Sequence, residues 1–439
     1  MRLWFYCFMM AGLLEAEVPG TPAFPGAEGA GKWAKGGRGG IVIPVTNLED
    51  DGPGSLRAAV ERKEPRTVIF RVSGTIELKT PLRIRHPFIT IAGQTAPGDG
   101  ICLKGQEFQI GPTYDVIVRH LRCRPGDKTS GAGEMDAISL YSVRDVIMDH
   151  CSATWSTDEC FSITRNSDRV TVQHCLIAEA LTSHALGSII GAYEGRISFL
   201  NNLYASNRAR NPRVSGYQAE AGREESRGPQ VDFRHNVIFN WYSGAGYTGT
   251  GKVTERERIA MNYVGNYLKP GADTLASSRG KAFTISQGAT AELYMEGNRL
   301  DKPQQVLTTQ ADLLRVNPGS TLILRDTPLD FESLPESPDA GVTYERVLEN
   351  AGAVKPQRDA VDERIIAGVR DGTGRQRVTV EEDVWPLLNG GDPLPDQDGD
   401  GLPDAWERAH GLDERDARDG AKVAGPEGWT HLEVWLNSL

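Results

Sequence analysis

Ile197-Ser198-Phe199-Leu200-Asn201-Asn202 carries the pattern that decides the fold: an apolar residue, any residue, a second apolar residue, two of any kind, then Asn or Cys. Outward from it the pattern recurs as Val146/Met148/Cys151, Val170/Val172/Cys175, Val231/Phe233/Asn236, Met261/Tyr263/Asn266 and Leu293/Met295/Asn298. The first members lie 24, 27, 34, 30 and 32 residues apart, which is solenoid spacing with insertions of varied length. Alternating apolar residues make each copy a strand with one buried face. The closing Asn or Cys falls where the strand must bend, and Asn tolerates a left-handed bend. Stacked coil on coil, Asn202, Asn236, Asn266 and Asn298 are expected to bond along the axis as a ladder. The prediction is an all-β chain, a right-handed parallel β-helix. A β-sandwich would show shorter, more uniform spacing and hairpin signals such as Asn-Gly, which do not occur between residues 146 and 298.

Upstream, stretches 67–72, 75–78 and 88–92 read as earlier strands and 55–61 as a short helix capping the solenoid. Downstream, 360–370 reads as a helix against the coils. The β-helical domain is placed at 17–382, an acidic linker at 383–395 and a small appendage at 396–439. Residues 381–419 hold 13 acids against 3 bases, so they account for nearly all of the net charge of −11 and leave the main body almost neutral. That excludes the basic face a nucleic-acid partner needs, while a few local arginines or a bridging metal still suit an acidic substrate.

Met1-Arg2 followed by an apolar run to Leu14 is too short to span a bilayer and reads as a signal peptide over 1–16. The alternative is a buried N-terminal strand. The expectation is a secreted protein, extracellular or periplasmic, with no membrane partner and, as a capped solenoid, a monomer. Cys102, Cys123, Cys151, Cys160 and Cys175 lack zinc-site spacing and read as buried thiols, with a single disulfide as the alternative.

Asp396-Gln-Asp398-Gly-Asp400-Gly401-Leu402-Pro-Asp404-Ala-Trp-Glu407 sets carboxylates at loop positions 1, 3, 5, 9 and 12, glycine at 6 and the Leu402 carbonyl at 7. This is an EF-hand-like calcium loop, expected to staple an appendage too small for a core of its own. A second acidic group, Glu134, Asp136, Asp158 and Glu159, lies about one coil apart and could stack into a site or remain a salt-bridged surface. Arg208-Ala-Arg210-Asn-Pro212-Arg213 concentrates three guanidinium forks, either a clamp for an acidic sugar or a solvated basic loop.

Ala23-Phe-Pro-Gly-Ala-Glu-Gly29, Gly36-Gly-Arg-Gly-Gly40, Gly52-Pro-Gly-Ser-Leu-Arg57, Ile91-Ala-Gly-Gln-Thr-Ala-Pro-Gly98, Asp136-Ala-Ile138, Val146-Ile-Met-Asp-His150 and Arg210-Asn-Pro212 together resemble the pectate lyases of polysaccharide lyase family 1. The resemblance spans roughly residues 23 to 375. It implies a β-helix that holds calcium between protein acids and the carboxylates of an acidic plant cell-wall polysaccharide, pectate or pectin. It places Glu134, Asp136 and Asp158 on the family's calcium ligands, with Glu159 as a compensating ligand because a further family Asp falls on Ser162. It puts the catalytic arginine on Arg210, which removes the C5 proton of a galacturonate so that the C4 substituent departs. A later substrate arginine falls on Ser215 with Arg213 as substitute, and Arg208, Arg213 and His184, which lies near the position of a family lysine that has no counterpart, are the expected substrate-binding residues. His150, beside Asp149, reads as a structural hydrogen bonder. Two alternatives remain at this point. A hydrolytic polygalacturonase would use paired carboxylates around a water, but its Gly-His-Gly signature does not occur. A uronate-binding β-helix without turnover is the other.

Overall fold

The repeats wind into three parallel sheets. The computed structural model describes residues 20–127, 133–181, 184–215, 227–249, 257–301, 308–331 and 339–439, so the signal peptide expected over 1–16 lies outside the described residues. One sheet has eleven strands and the other two have nine each, and apart from the first strand, which pairs with the second, each strand pairs with the strand three further along, as a right-handed β-helix requires. In the eleven-stranded sheet Val146, Val170, Ile197, Val231, Met261 and Leu293 stand in successive register. The alignment of repeats is therefore the alignment of coils. Inside, Phe199, Phe233 and Tyr263 stack at centroid spacings of 6.4 and 5.4 Å, and all three are fully buried.

The asparagine ladder is present. The Nδ2 of Asn202 donates to Asn236 Oδ1 at 3.0 Å, that of Asn236 to Asn266 at 3.1 Å, and that of Asn266 to Asn298 at 2.9 Å. Gln310 closes the row at 2.9 Å. The expected bend is corrected by one position: the left-handed residues are His120, His150, His174, Asn201 and His235, with Gly265 and Gly297 in the last coils. The ladder Asn keeps ordinary backbone geometry, and its neighbour takes the bend. Replacing Asn236 by alanine orphans the amides of Asn202 and the carbonyl of Phe199. The expected cost is about 1–3 kcal/mol for each buried group left unpaired, read from urea unfolding.

His120, His150 and His174 stack on one another at these corners, 4.9 and 4.7 Å apart. Asp149 accepts from Arg119 at 2.9 Å and Gln173 at 2.8 Å, and lies 2.9 Å from His150 Nδ1. His150 is thus a member of the wall. All five cysteines in the described residues are free and buried, which removes the disulfide alternative.

Both ends of the chain cover the eleven-stranded sheet. The glycine-rich N-terminal segment runs along it, with backbone N–H groups of Ala30, Gly31, Lys35 and Gly37 donating to Ser198, Thr171, Asp115 and Thr90 at 2.8–3.0 Å. A Cβ on Gly31 would lie 2.2 Å from the Val146 carbonyl and one on Gly37 1.9 Å from that of Arg66, so those positions admit no side chain. Leu402, Leu432, Trp435 and Leu436 of the C-terminal appendage pack on Ala92 and Val42. Stretch 383–395, expected as a linker, runs irregularly along the coil and is tied down where Asn389 meets the carboxylate of Asp99 at 2.7 and 2.8 Å.

A second sheet is covered by helices Ala340–Asn350 and Ala360–Asp371, whose Val347, Leu348, Ile365 and Ile366 pack on Leu176, Leu203 and Phe239. Beneath them Arg124 Nη2 bonds Asp362 at 2.7 Å and Asp359 at 3.0 Å. The remaining nine-stranded sheet presents polar and charged groups at its centre.

Candidate functional site

Strands Ile138–Tyr141, Glu159–Arg165, Leu186–Ala192 and Arg213–Val214 lie side by side in that sheet. Their outward column is Ser139, Ser162, Ile189 and Arg213, extended by Tyr247 of the next coil. Because the strands are parallel and in register, the turn entering each one sits above the turn entering the last. Asp136, Asp158, His184 and Arg210 occupy four successive such turns, separated by 22 to 26 residues. One coil of spacing therefore becomes one spot on the surface.

There Asp136, Asp158 and Glu159 offer carboxylate oxygens that all lie within 4.8 Å of one another, and carboxylate oxygens of Glu134 and Asp158 lie equally close to each other and to a ring nitrogen of His184. Asp136 Oδ1 accepts the Glu159 N–H at 3.1 Å. His184 Nδ1 stands 3.0 Å from Glu134 and 3.4 Å from Asp158, so the structure sets it among the acids. Burial raises the Asp136 carboxyl well above its ordinary range; the Ser162 hydroxyl opposes this and the charges of Glu107 and Asp158 add to it. Asp158 is likewise raised by burial, against the pull of Arg210 and His184. Acids held together against their own desolvation fit a hard cation such as calcium. The Ser162 hydroxyl serves Asp136.

Arg210 pairs directly with Glu159. Its Nε lies 3.4 Å from Tyr247 Oη. Its backbone is left-handed, φ 59°, a conformation that side chains rarely adopt. The turn is fixed from below: Asn207 Nδ2 bonds Asn211 Oδ1 at 3.2 Å, and the Arg210 carbonyl accepts the Ser188 N–H at 2.6 Å. Arg208 is exposed and lies over the Tyr242 ring at 4.6 Å. Arg213 is half-buried in the outward column. Ser215 is fully buried and donates to Glu257 at 2.9 Å, which removes it from the surface.

Two groups escaped the sequence reading. Glu107 enters from the preceding coil and accepts from Ser139, and burial raises its carboxyl. Tyr247 arrives from the following coil. Only the register, which brackets the Arg210 turn between coils, could have found them.

In the C-terminal loop Asp396, Asp398 and Asp400 converge, and Asp400 also meets Glu407 and Asp419. Asp404 stands outside both groups, and its Oδ1 accepts the Gln397 N–H at 2.7 Å. Leu402 is buried, with its N–H on Asp400 at 2.9 Å. Burial pushes the Asp400 carboxyl up to about 6, and burial and its acidic neighbours push Glu407 up to about 7. A raised folded pKa stabilises the fold below the ordinary carboxyl value and loses that contribution as pH rises through the raised one. In chelator the melting temperature is therefore expected to fall between about pH 4 and about pH 7. Calcium should flatten that slope in a thermal scan.

No protein-family model matches the chain. A solved pectate lyase described for its substrate specificity and anti-β-elimination mechanism superposes with a TM-score of 0.52 at 16% identity, over 77% of this chain and 99% of its own. A pectate lyase bound to a hexasaccharide does so with 0.52 at 16%, over 76% and 98%. The fold is that of the polysaccharide lyases built as parallel β-helices. Among sequences, a probable pectate lyase C of Aspergillus terreus is 36% identical over 100% of this chain and 99% of its own length. One of Neosartorya fischeri is 37% identical over 96% and 94%. The chain belongs to the pectate lyase family.

Proposed function

We propose that this protein cleaves pectate by β-elimination, with Arg210 as the base and Glu134, Asp136, Asp158 and Glu159 holding calcium in the groove. The observation that carries the reading is the contact of Arg210 with Glu159 inside a cluster of carboxyls raised by burial. Proton acceptor and cation cradle adjoin. When bound, the cation draws charge from the uronate carboxylate beside C5 and lowers the base strength the reaction needs. Arg210 acts as the neutral guanidine: it takes the C5 proton, the released pair becomes the C4–C5 double bond, and the C4–O bond breaks, with the departing oxygen protonated by solvent. In the free groove Glu159 pairs with Arg210; a cation held by Asp136, Asp158 and Glu159 would compete for that carboxylate, leaving Arg210 to face the sugar and give up its proton more readily. Arg213, and Arg208 on Tyr242, are assigned to uronate carboxylates on either side, and His184 to orienting Glu134 and Asp158.

The chain is further proposed to be exported through the leader at 1–16, to act as a monomer on extracellular pectate or pectin, and to use the C-terminal loop as a separate calcium site. No helix of the described residues is long and apolar enough to cross a membrane.

The test is ultraviolet absorbance with polygalacturonate, in calcium and then in chelator. A rise that requires calcium supports the reading. New reducing ends without absorbance would mean hydrolysis. Calcium-dependent binding with neither product would establish the second reading, a uronate-binding β-helix, which is favoured by Ser162 serving Asp136 and by the burial of Ser215.

A further inference from the structure

We infer that residues 396–420 form a closed site for one divalent cation, whose last ligand is Asp419 from a second loop and from which Asp404 is excluded. Glu407 has no exposed surface, and neither of its carboxylate oxygens has a hydrogen-bond partner. Asp419 is 3% exposed and its Oδ1 is unpartnered, as is Oδ2 of Asp398. Burying an uncompensated carboxylate costs several kcal/mol in effective terms, and here one ligand oxygen each from Asp400, Glu407 and Asp419 lie within 4.8 Å of one another, as do those of Asp396, Asp398 and Asp400, with Asp400 common to both groups.

The local bases do not fill it. Arg408 pairs with Glu414, while Arg418 and Lys422 both pair with Asp416. Arg71 reaches only the rim, 3.6 Å from Asp396. The donors are all oxygens and carry several formal negative charges, which selects calcium over softer metals.

The other hydrogen bonds say how the site is held. Asp396 accepts from Gly399 at 2.8 Å and Gly401 at 3.2 Å, shaping the first loop. Asp400 Oδ2 accepts the Gly420 N–H at 2.7 Å, and Asp419 Oδ2 that of Asp413 at 3.2 Å, drawing in the second. The Gly420 carbonyl in turn accepts the Leu432 N–H at 3.0 Å. One cation would therefore fasten the first loop, helix Asp404–His410 and the turn before helix His431–Ser438, and so hold that last helix on the β-helix. This site is independent of the groove and of the reaction proposed there.

The experiment uses the full chain carrying Glu134→Gln, Asp136→Asn and Asp158→Asn, so that groove calcium does not count. Equilibrium dialysis is expected to find one calcium per chain, with a higher melting temperature in calcium than in chelator. Asp419→Asn should weaken binding by more than the roughly ten- to hundredfold that a change outside the ligand shell costs, and by more than Asp404→Asn does, since the Asp404 carboxylate joins neither group of converging acids. No bound calcium, or loss of binding with Asp404→Asn but not Asp419→Asn, would overturn the assignment. Should Asp419→Asn not fold, terbium luminescence excited through the tryptophans of the groove variant decides: emission displaced by calcium supports the site, and its absence sinks it.

Discussion

With Arg210 replaced by alanine, formation of unsaturated product from polygalacturonate is expected to fall by about a hundred- to ten-thousand-fold, the usual worth of a positioned acid or base. The loss should fall on kcat, because Arg208, Arg213 and the acidic cluster remain to bind the polymer. Arg210→Lys should also lose most activity while binding survives, since an ammonium on a flexible stem does not reproduce the planar fork held between Glu159 and Tyr247. Retained turnover in either variant would show that another group takes the proton. Binding is read separately, by calorimetry with a short oligogalacturonate.

The second large effect concerns the frame. Arg124 and Asp362 are fully buried and Asp359 nearly so, and the Arg124 bonds to both acids pin helix Ala360–Asp371 to the coils. Arg124→Met leaves two carboxylates without their main counter-charge; Arg122, 3.4 Å from Asp359, is the nearest remaining one. The expected loss is about 3–5 kcal/mol of stability, seen as a lower midpoint in guanidinium unfolding. Adding Asp362→Leu should recover part of it, because a well-packed apolar pair replaces a buried ion pair at little cost. If Arg124→Met alone unfolds at the wild-type midpoint, the helix is held by its apolar face and the ion pairs contribute nothing.

The coils were legible in the sequence because alternation leaves no freedom: Val231 and Phe233 can be buried together only if Asp232 points away, and the neighbouring copies must follow. That Asp136 and Asp158 lie together was legible for a related reason, since they are spaced by one coil, whereas Arg210 and His184 were placed by the family resemblance and the register then sets them in the same column of turns. What escaped depended on tertiary return. Asp419 reaches the C-terminal loop only after the chain doubles back past Asp413, and no local spacing encodes that. The left-handed corner escaped because it falls one place before the repeated Cys or Asn, on His150, His174, Asn201 and His235, and only backbone geometry separates the residue that bends from the one that bonds. The glycines of the N-terminal motif carry no chemistry. They are where the segment presses against the carbonyls of strands it has yet to meet in sequence.

That last point bears on the order in which the molecule can be made. The segment around Ala30 and Gly31 bonds to Thr171 and Ser198, while Arg38 is held by Glu433 at 2.8 Å and the Pro22 carbonyl accepts the Trp429 indole N–H at 3.0 Å. Residues 22–38 thus have no complete resting place until residues 429–433 have been added. A chain of this design suits a route in which that segment settles late, and a version truncated at residue 420 should leave residues 22–38 open to proteases.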